Sequence, residues 1–180
     1  GFTDCLVQEG AALVYAVEVG FGQLAGSLRQ HPRVRSLERT NISDPALLSL
    51  DPLPELGSVD LSYLSLRRAV PIFASILQGR GELVCLVKPL FEVEDAAPRR
   101  TGILAPGDYA PVLHGLIQAL NALPATQVRG VTHSPVTGNQ GTLEFFLHVF
   151  LGKAGPAPNL AEAVSHAVAR ALALDSYKKA

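Results

Sequence analysis

The stretch Gly81 to Glu92, GELVCLVKPLFE, constrains the fold more than any other. A turn-forming glycine precedes the apolar, strand-forming residues Leu83 to Val87, and a single lysine, Lys88, then stands directly before a proline. An uninterrupted apolar run of this length reads as a strand buried on both faces, the mark of a parallel sheet covered by helices. In open α/β sheets ligands bind beyond the carboxyl ends of such strands, so Lys88 is placed at the mouth of a site. The competing reading is a lysine that snorkels to solvent from a strand end.

The remaining segments alternate between strand and helix, the pattern of a doubly wound α/β sheet. Thr3 is expected to cap a short helix through Gln8, and Gln23 to Gln30 is helical by composition. Strands are expected at Leu13 to Val17, Val34 to Arg39 and, unusually briefly, Ser58 to Leu61. A loop or short helix starts at Asp44, and a longer helix spans Ser65 to Gln78 with Pro71 as a kink or a late start. The polar, proline-bearing segment Val93 to Pro106 reads as a lid, and Asp108 and Pro111 open a helix to about Leu123. Two strands, Thr126 to Val136 and Leu143 to Leu151, flank the turn-rich TGNQGT as a hairpin at an antiparallel edge. Asn159 and Glu162 form an N-x-x-E cap for a last helix.

Composition narrows the functional classes. A chain of 180 residues that is 48% hydrophobic can bury a full core, most simply as one domain. Its net charge of -1 advertises no global attraction for nucleic acid, although Arg29 to Arg39 and Arg99 with Arg100 are local basic clusters. Cys5 and Cys85 are isolated, which excludes a zinc site built on cysteine and suggests reduced thiols in the cytoplasm. No apolar run approaches the roughly eighteen residues that span a bilayer. The chain opens on glycine and contains no methionine, so an upstream segment is expected.

Two glycine signals compete in the first third. GFGQLAG, Gly20 to Gly26, follows a strand, opens a helix and has Glu38 further on, as a loose dinucleotide fingerprint would. Glu18 argues against a nicotinamide cofactor, because its carboxylate would face the pyrophosphate. A carboxylate there is better suited to accept hydrogen bonds from a ribose with no phosphate nearby, as in S-adenosylmethionine.

GFTDC at Gly1, VYAVEVGFGQL at Val14, LERTN at Leu37, DLSYLSL at Asp60, LVKPLFE at Leu86 and TGNQGTLEFFLH at Thr137 follow in unbroken order. Together they resemble the motifs of the TlyA-type 2′-O-ribose rRNA methyltransferases within the FtsJ-like group, which often carry the label hemolysin. The resemblance implies a Rossmann-like methyltransferase sheet, mostly parallel with an antiparallel C-terminal hairpin strand, whose first strand lies upstream. Residues 1–152 would form that domain, and 153–180 a linker and helix packed on it.

The resemblance also implies roles. Gly1, Phe2, Thr3 and Asp4 match the end of a glycine-rich loop against the methionine part of S-adenosylmethionine. Glu18, with Val19, Gly20 and Gln23, matches the ribose site, and Asn41 with Ile42 the adenine-contacting loop. Asp60, also in reach of the cofactor, Lys88 and Glu144 match three members of a Lys-Asp-Lys-Glu catalytic set, with no metal. The fourth, a lysine, lies upstream in the family together with a small RNA-binding domain, so the 180 residues alone are expected to be inactive. Ribosomal RNA or a ribosomal subunit is the implied partner; the alternatives are a membrane-active hemolysin, a non-catalytic cofactor- or RNA-binding protein and a nicotinamide enzyme. Read without the resemblance, Asp60 is a helix cap and Glu144 a strand-edge surface charge.

Overall fold

The computed structural model describes residues 1–93, 98, 100, 102, 104–138, 141–153 and 155–174. The chain divides into two compact units, Gly1–Leu50 and Asp51–Ala180.

In the first unit, α1 (Phe2–Gln8) leads into β1 (Val14–Glu18), and α2 (Gly26–Arg29) into β2 (Val34–Glu38). The two strands pair in parallel from Val14 opposite Val34 to Glu18 opposite Glu38, so both end on a glutamate. Val7, Val14 and Val34 form a small buried core with Leu6, Ala11, Ala16 and Leu24 packed against it. Arg33 donates to the carbonyls of Val7 and Ala11, both at 2.9 Å. It thereby adds a donor to the Val7 carbonyl at the end of α1, which also accepts from Gly10 N at 3.3 Å. The expected Thr3 cap is not formed: Gly1 is the N-cap and Cys5 N donates to Gly1 O, which puts Thr3 inside the first turn. The second helix is shorter than Gln23 to Gln30 because it begins only at Gly26. A 3-10 turn, Pro45–Ser49, is capped by Asp44, whose Oδ1 accepts from Ala46 N at 2.9 Å.

The second unit contains β3 (Leu56–Val59), α3 (Leu66–Ile76), β4 (Gly81–Val87), α4 (Tyr109–Asn121), β5 (Thr126–His133), β6 (Phe145–Leu151) and α5 (Ala161–Leu172). Its strand order is β3-β4-β6-β5. β3 and β4 are parallel, and β6 runs antiparallel to both β4 and β5. The expected hairpin therefore does not lie wholly at the edge: β6 enters the sheet interior and β5 takes the outer position. Phe145, Leu147, Val149 and Leu151 of β6 are buried in alternation. That alternation marks one covered face of β6, and the outer position suits β5, which carries Arg129 and a bulge between Val128 and Gly130.

Leu83, Cys85 and Val87 of β4 are fully buried, as are Leu113, Leu116 and Leu120 of α4. Helix α4 packs on α3, α5 and β5, and α5 also covers β5. Gly81 is required where it stands: its φ is +107°, and a Cβ would run into the carbonyl of Glu55. Helix α3 starts at Leu66, not late, because Ser65 Oγ accepts from Arg67 N at 3.2 Å. Pro71 lies within it, at the cost of one backbone donor. For α5, Asn159 Oδ1 accepts from Ala161 N at 3.0 Å, one position earlier than the N-x-x-E reading needs, and Leu160 is the N-cap. Half of the expected lid, including Arg99, and the centre of TGNQGT lie outside the described residues.

Candidate functional site

In the second unit the register of three strands assembles the site. Val59 pairs with Cys85, so the chain leaves β3 at Asp60 close to where it leaves β4 at Lys88. Val87 pairs with Phe145, which brings Lys88 and Glu144 to facing strand ends. Lys88 Nζ stands 2.7 Å from Asp60 Oδ1 and donates to Ser62 Oγ at 3.3 Å. The lysine head is thus anchored, and the snorkelling reading does not describe it. Burial pushes the Glu144 carboxyl above its ordinary value; Lys88 opposes this and Asp60 reinforces it. The three residues therefore share one electrostatic field.

The turn before β6 closes tightly on Glu144. Gly138 N donates to Thr142 O at 2.7 Å, and a Cβ on Gly138 would stand 2.5 Å from Glu144 Oε1. Ser134 N donates to Glu144 O at 2.8 Å. Sequence reasoning assigned no role to Ser62, Gly138 or Glu92, although each lies within a motif. Glu92 is only 6% exposed and accepts from Ser65 Oγ at 2.6 Å and Leu66 N at 2.7 Å. The available signal was a carboxylate at the end of an otherwise apolar stretch.

In the first unit, Glu18 ends β1 and its Oε1 accepts from Gly20 N at 2.8 Å. Gln23 folds over that glycine, its Cγ 3.1 Å from where a Cβ would be, and Val19 is exposed. Thr40 N donates to Glu18 O and Arg39 N to Gly20 O, both at 3.0 Å, which ties the chain after β2 to this loop. Asn41 and Ile42 follow at once. Asn41 Oδ1 accepts from Ser43 N at 2.9 Å and Ser43 Oγ at 3.0 Å, so it shapes the turn. Gly1 to Asp4 form the cap and first turn of α1, where Asp4 Oδ2 accepts from Gln8 Nε2 at 2.7 Å. Asp60, expected to serve both cofactor and chemistry, belongs to the second unit with Lys88.

The glycine loop itself disfavours a dinucleotide. Gly22 N donates to Glu38 Oε1 at 2.8 Å, just as Gly20 N donates to Glu18. The amides that would cradle a pyrophosphate are engaged by two carboxylates, and their charge would repel it.

The family model for the FtsJ-like methyltransferases matches residues 1–150. The chain is 40% identical over 152 residues to the candidate rRNA methyltransferase YqxC of Bacillus subtilis, covering 83% of this chain and 53% of that protein. It is 35% identical over 174 residues to the 16S/23S rRNA (cytidine-2′-O)-methyltransferase TlyA of Mycobacterium tuberculosis, covering 93% and 63%. A solved structure of a candidate hemolysin from Streptococcus thermophilus superimposes with a TM-score of 0.82 at 35% identity, covering 95% of this chain and 62% of that one. The chain thus spans less than two thirds of the length of each of these three relatives.

Proposed function

The chain belongs to the FtsJ-like methyltransferase family and has its Rossmann-like fold, and on that premise we propose that it methylates a ribose 2′-hydroxyl of ribosomal RNA, using S-adenosylmethionine. The observation that carries this reading is the Lys88–Asp60 ion pair at 2.7 Å with Glu144 in the same field. The relative from Mycobacterium tuberculosis, named for 2′-O-methylation of cytidine in 16S and 23S rRNA, supports the substrate class. Residues 1–152 are assigned to the methyltransferase domain, with 153–180 as a linker and helix on it. The cytoplasm is the assigned location.

The loop after β1 fits the cofactor. Gly20 N–H fixes one oxygen of Glu18, leaving Oε2 to accept from ribose hydroxyls. Two carboxylates beside the loop suit a cationic ligand without phosphates. Val19, Gly20 and Gln23 would line the ribose, Asn41 and Ile42 the adenine, and Gly1, Phe2, Thr3 and Asp4 the methionine part. When bound, S-adenosylmethionine supplies an electrophilic methyl group on a positively charged sulfur.

This chain's residues would supply placement and proton handling. A ribose hydroxyl is a poor nucleophile, so the oxygen must be held in line and relieved of its proton. Lys88, acting as a free amine, would take that proton, with Asp60 holding Nζ at 2.7 Å and Glu144 in the same electrostatic field. Although the structural relative is called a hemolysin, among the described residues no helix is long and apolar enough to cross a membrane.

The test is tritiated methyl transfer from S-adenosylmethionine to naked rRNA and to ribosomal subunits by the full native-length protein. The product is mapped by resistance of one linkage to alkaline hydrolysis. A protein that binds the cofactor yet methylates neither substrate would sink the proposal.

A further inference from the structure

Glu92 stands outside the set just described, yet it is the most buried carboxylate among the described residues that flank Lys88. Its two oxygens both serve the start of α3, through the consecutive residues Ser65 and Leu66. Oε2 accepts from Ser65 Oγ at 2.6 Å and Oε1 from Leu66 N at 2.7 Å, while Glu92 N donates to Pro89 O at 2.9 Å. Glu92 therefore ties the turn that follows β4 to the turn that follows β3.

Two further contacts join the same turns. Phe91 packs on Tyr63 with ring centroids 5.2 Å apart, and Lys88 Nζ reaches both Asp60 and Ser62. Tyr63 is 90% exposed and sits at φ +66°, a conformation that an aromatic residue keeps only when its surroundings impose it. The Asp60–Leu66 segment thus carries local strain, and the buried carboxylate is one of its anchors.

Capping accounts for part of what Glu92 does, since it accepts from Leu66 N, the first donor of α3. Ser65 Oγ already accepts from Arg67 N, so the helix has an ordinary side-chain cap. Burying a carboxylate is costly, and burial does push its proton affinity above the ordinary value, opposed by the bonds from Ser65 and Leu66 and by Arg67. What the cost secures is a fixed distance between two turns that each carry one partner of the Lys88–Asp60 pair.

We propose that Glu92 is a positioning residue that clamps the Asp60–Leu66 turn to the Lys88–Glu92 turn and thereby sets the Lys88–Asp60 separation. For turnover this rests on the methyl transfer proposed above; for geometry it does not.

The experiment uses the full native-length protein and its Glu92→Ala, Glu92→Gln and Asp60→Asn variants. The first readout is the NMR signal of Lys88 after 13C-dimethylation of lysines, assigned by comparison with Lys88→Arg. Asp60→Asn gives the position of that signal without the ion pair. Glu92→Ala should move the signal most of the way to that position, and Glu92→Gln, which keeps an acceptor for Leu66 N, only part of the way. The second readout is kinetic: kcat should fall about ten-fold or more in Glu92→Ala, with cofactor affinity unchanged within about two-fold. A Lys88 signal that stays at its wild-type position in folded Glu92→Ala, or in Glu92→Gln if alanine prevents folding, overturns the proposal even where the melting temperature drops. If the wild type transfers no methyl group, the NMR comparison still decides the clamp.

Discussion

Lys88 Nζ lies 2.7 Å from Asp60 Oδ1, across the carboxyl ends of two adjacent parallel strands. A lysine that merely reached for solvent would not be pinned between a carboxylate and the Ser62 hydroxyl. Lys88→Ala should reduce methyl transfer about 100-fold or more while cofactor affinity stays within a few-fold, since a proton-handling group acts mainly in the transition state. Single-turnover methylation and calorimetric titration of S-adenosylmethionine, run side by side, check both halves.

Glu18 should matter for binding and not for the chemical step. Its Oε1 is fixed by Gly20 N–H, so the carboxylate is preorganised for hydroxyl donors. Glu18→Ala should weaken S-adenosylmethionine binding by about 1–3 kcal/mol, the range for losing hydrogen bonds to a charged acceptor. Unchanged affinity by calorimetry would refute the ribose assignment.

A side chain at Gly138 is predicted to displace the Glu144 carboxylate. A Cβ there would meet Glu144 Oε1 at 2.5 Å and Thr142 Oγ1 at 2.8 Å, so either the carboxylate or the turn must shift. Gly138→Ala should lower kcat sharply while thermal unfolding changes by only a few degrees, because the contact is local to one turn. Equal turnover in the two proteins would show that Glu144 has room to move without consequence.

The raised carboxyls of Glu92 and Glu144 predict a pH dependence of stability. Each folded-state value lies above the unfolded one, so the folded protein holds these protons more tightly. The stabilisation is complete below the unfolded value, 4.5, and is lost as pH climbs through the raised folded value. The wild type should therefore lose stability relative to Glu144→Gln as pH rises from 4.5 toward neutrality. Urea unfolding of both proteins across that interval measures the difference, and parallel curves would contradict it.

The two thiols should differ in reactivity. Cys5 is exposed, whereas Cys85 is buried in β4 and its thiol is pushed up to about 12 by burial, with Glu92 adding to the effect. Native protein treated with iodoacetamide at neutral pH should carry one label, on Cys5, and a second only after unfolding. Peptide mass spectrometry locates the label; modification of Cys85 in the folded state would show that β4 opens.

Much of this was legible in the residues taken in order. The apolar run Leu83 to Val87 was readable as a strand, although Val84 is exposed and not covered, and a cation directly after it had to stand at the strand's end. Glu18 before a glycine loop argued against a pyrophosphate by charge alone, and the amides of Gly20 and Gly22 are indeed engaged by Glu18 and Glu38. Each inference used interactions within a few residues, or the sign of one charge, and such effects do not wait for the rest of the fold.

The remainder was decided by pairing between distant segments. Periodicity marks Phe145 to Leu151 as a strand but says nothing about its neighbours, so the entry of β6 between β4 and β5 emerged only in the sheet. Glu144 feels the charge of Lys88 because Phe145 pairs with Val87, and a slip of one residue would turn the alternating side chains to the opposite face. Glu92 was unreadable for a related reason: the residues it bonds, Ser65 and Leu66, lie a helix and a strand away in sequence. A carboxylate becomes a clamp only when tertiary packing removes water from it and brings two donors within reach, a condition that no local preference encodes.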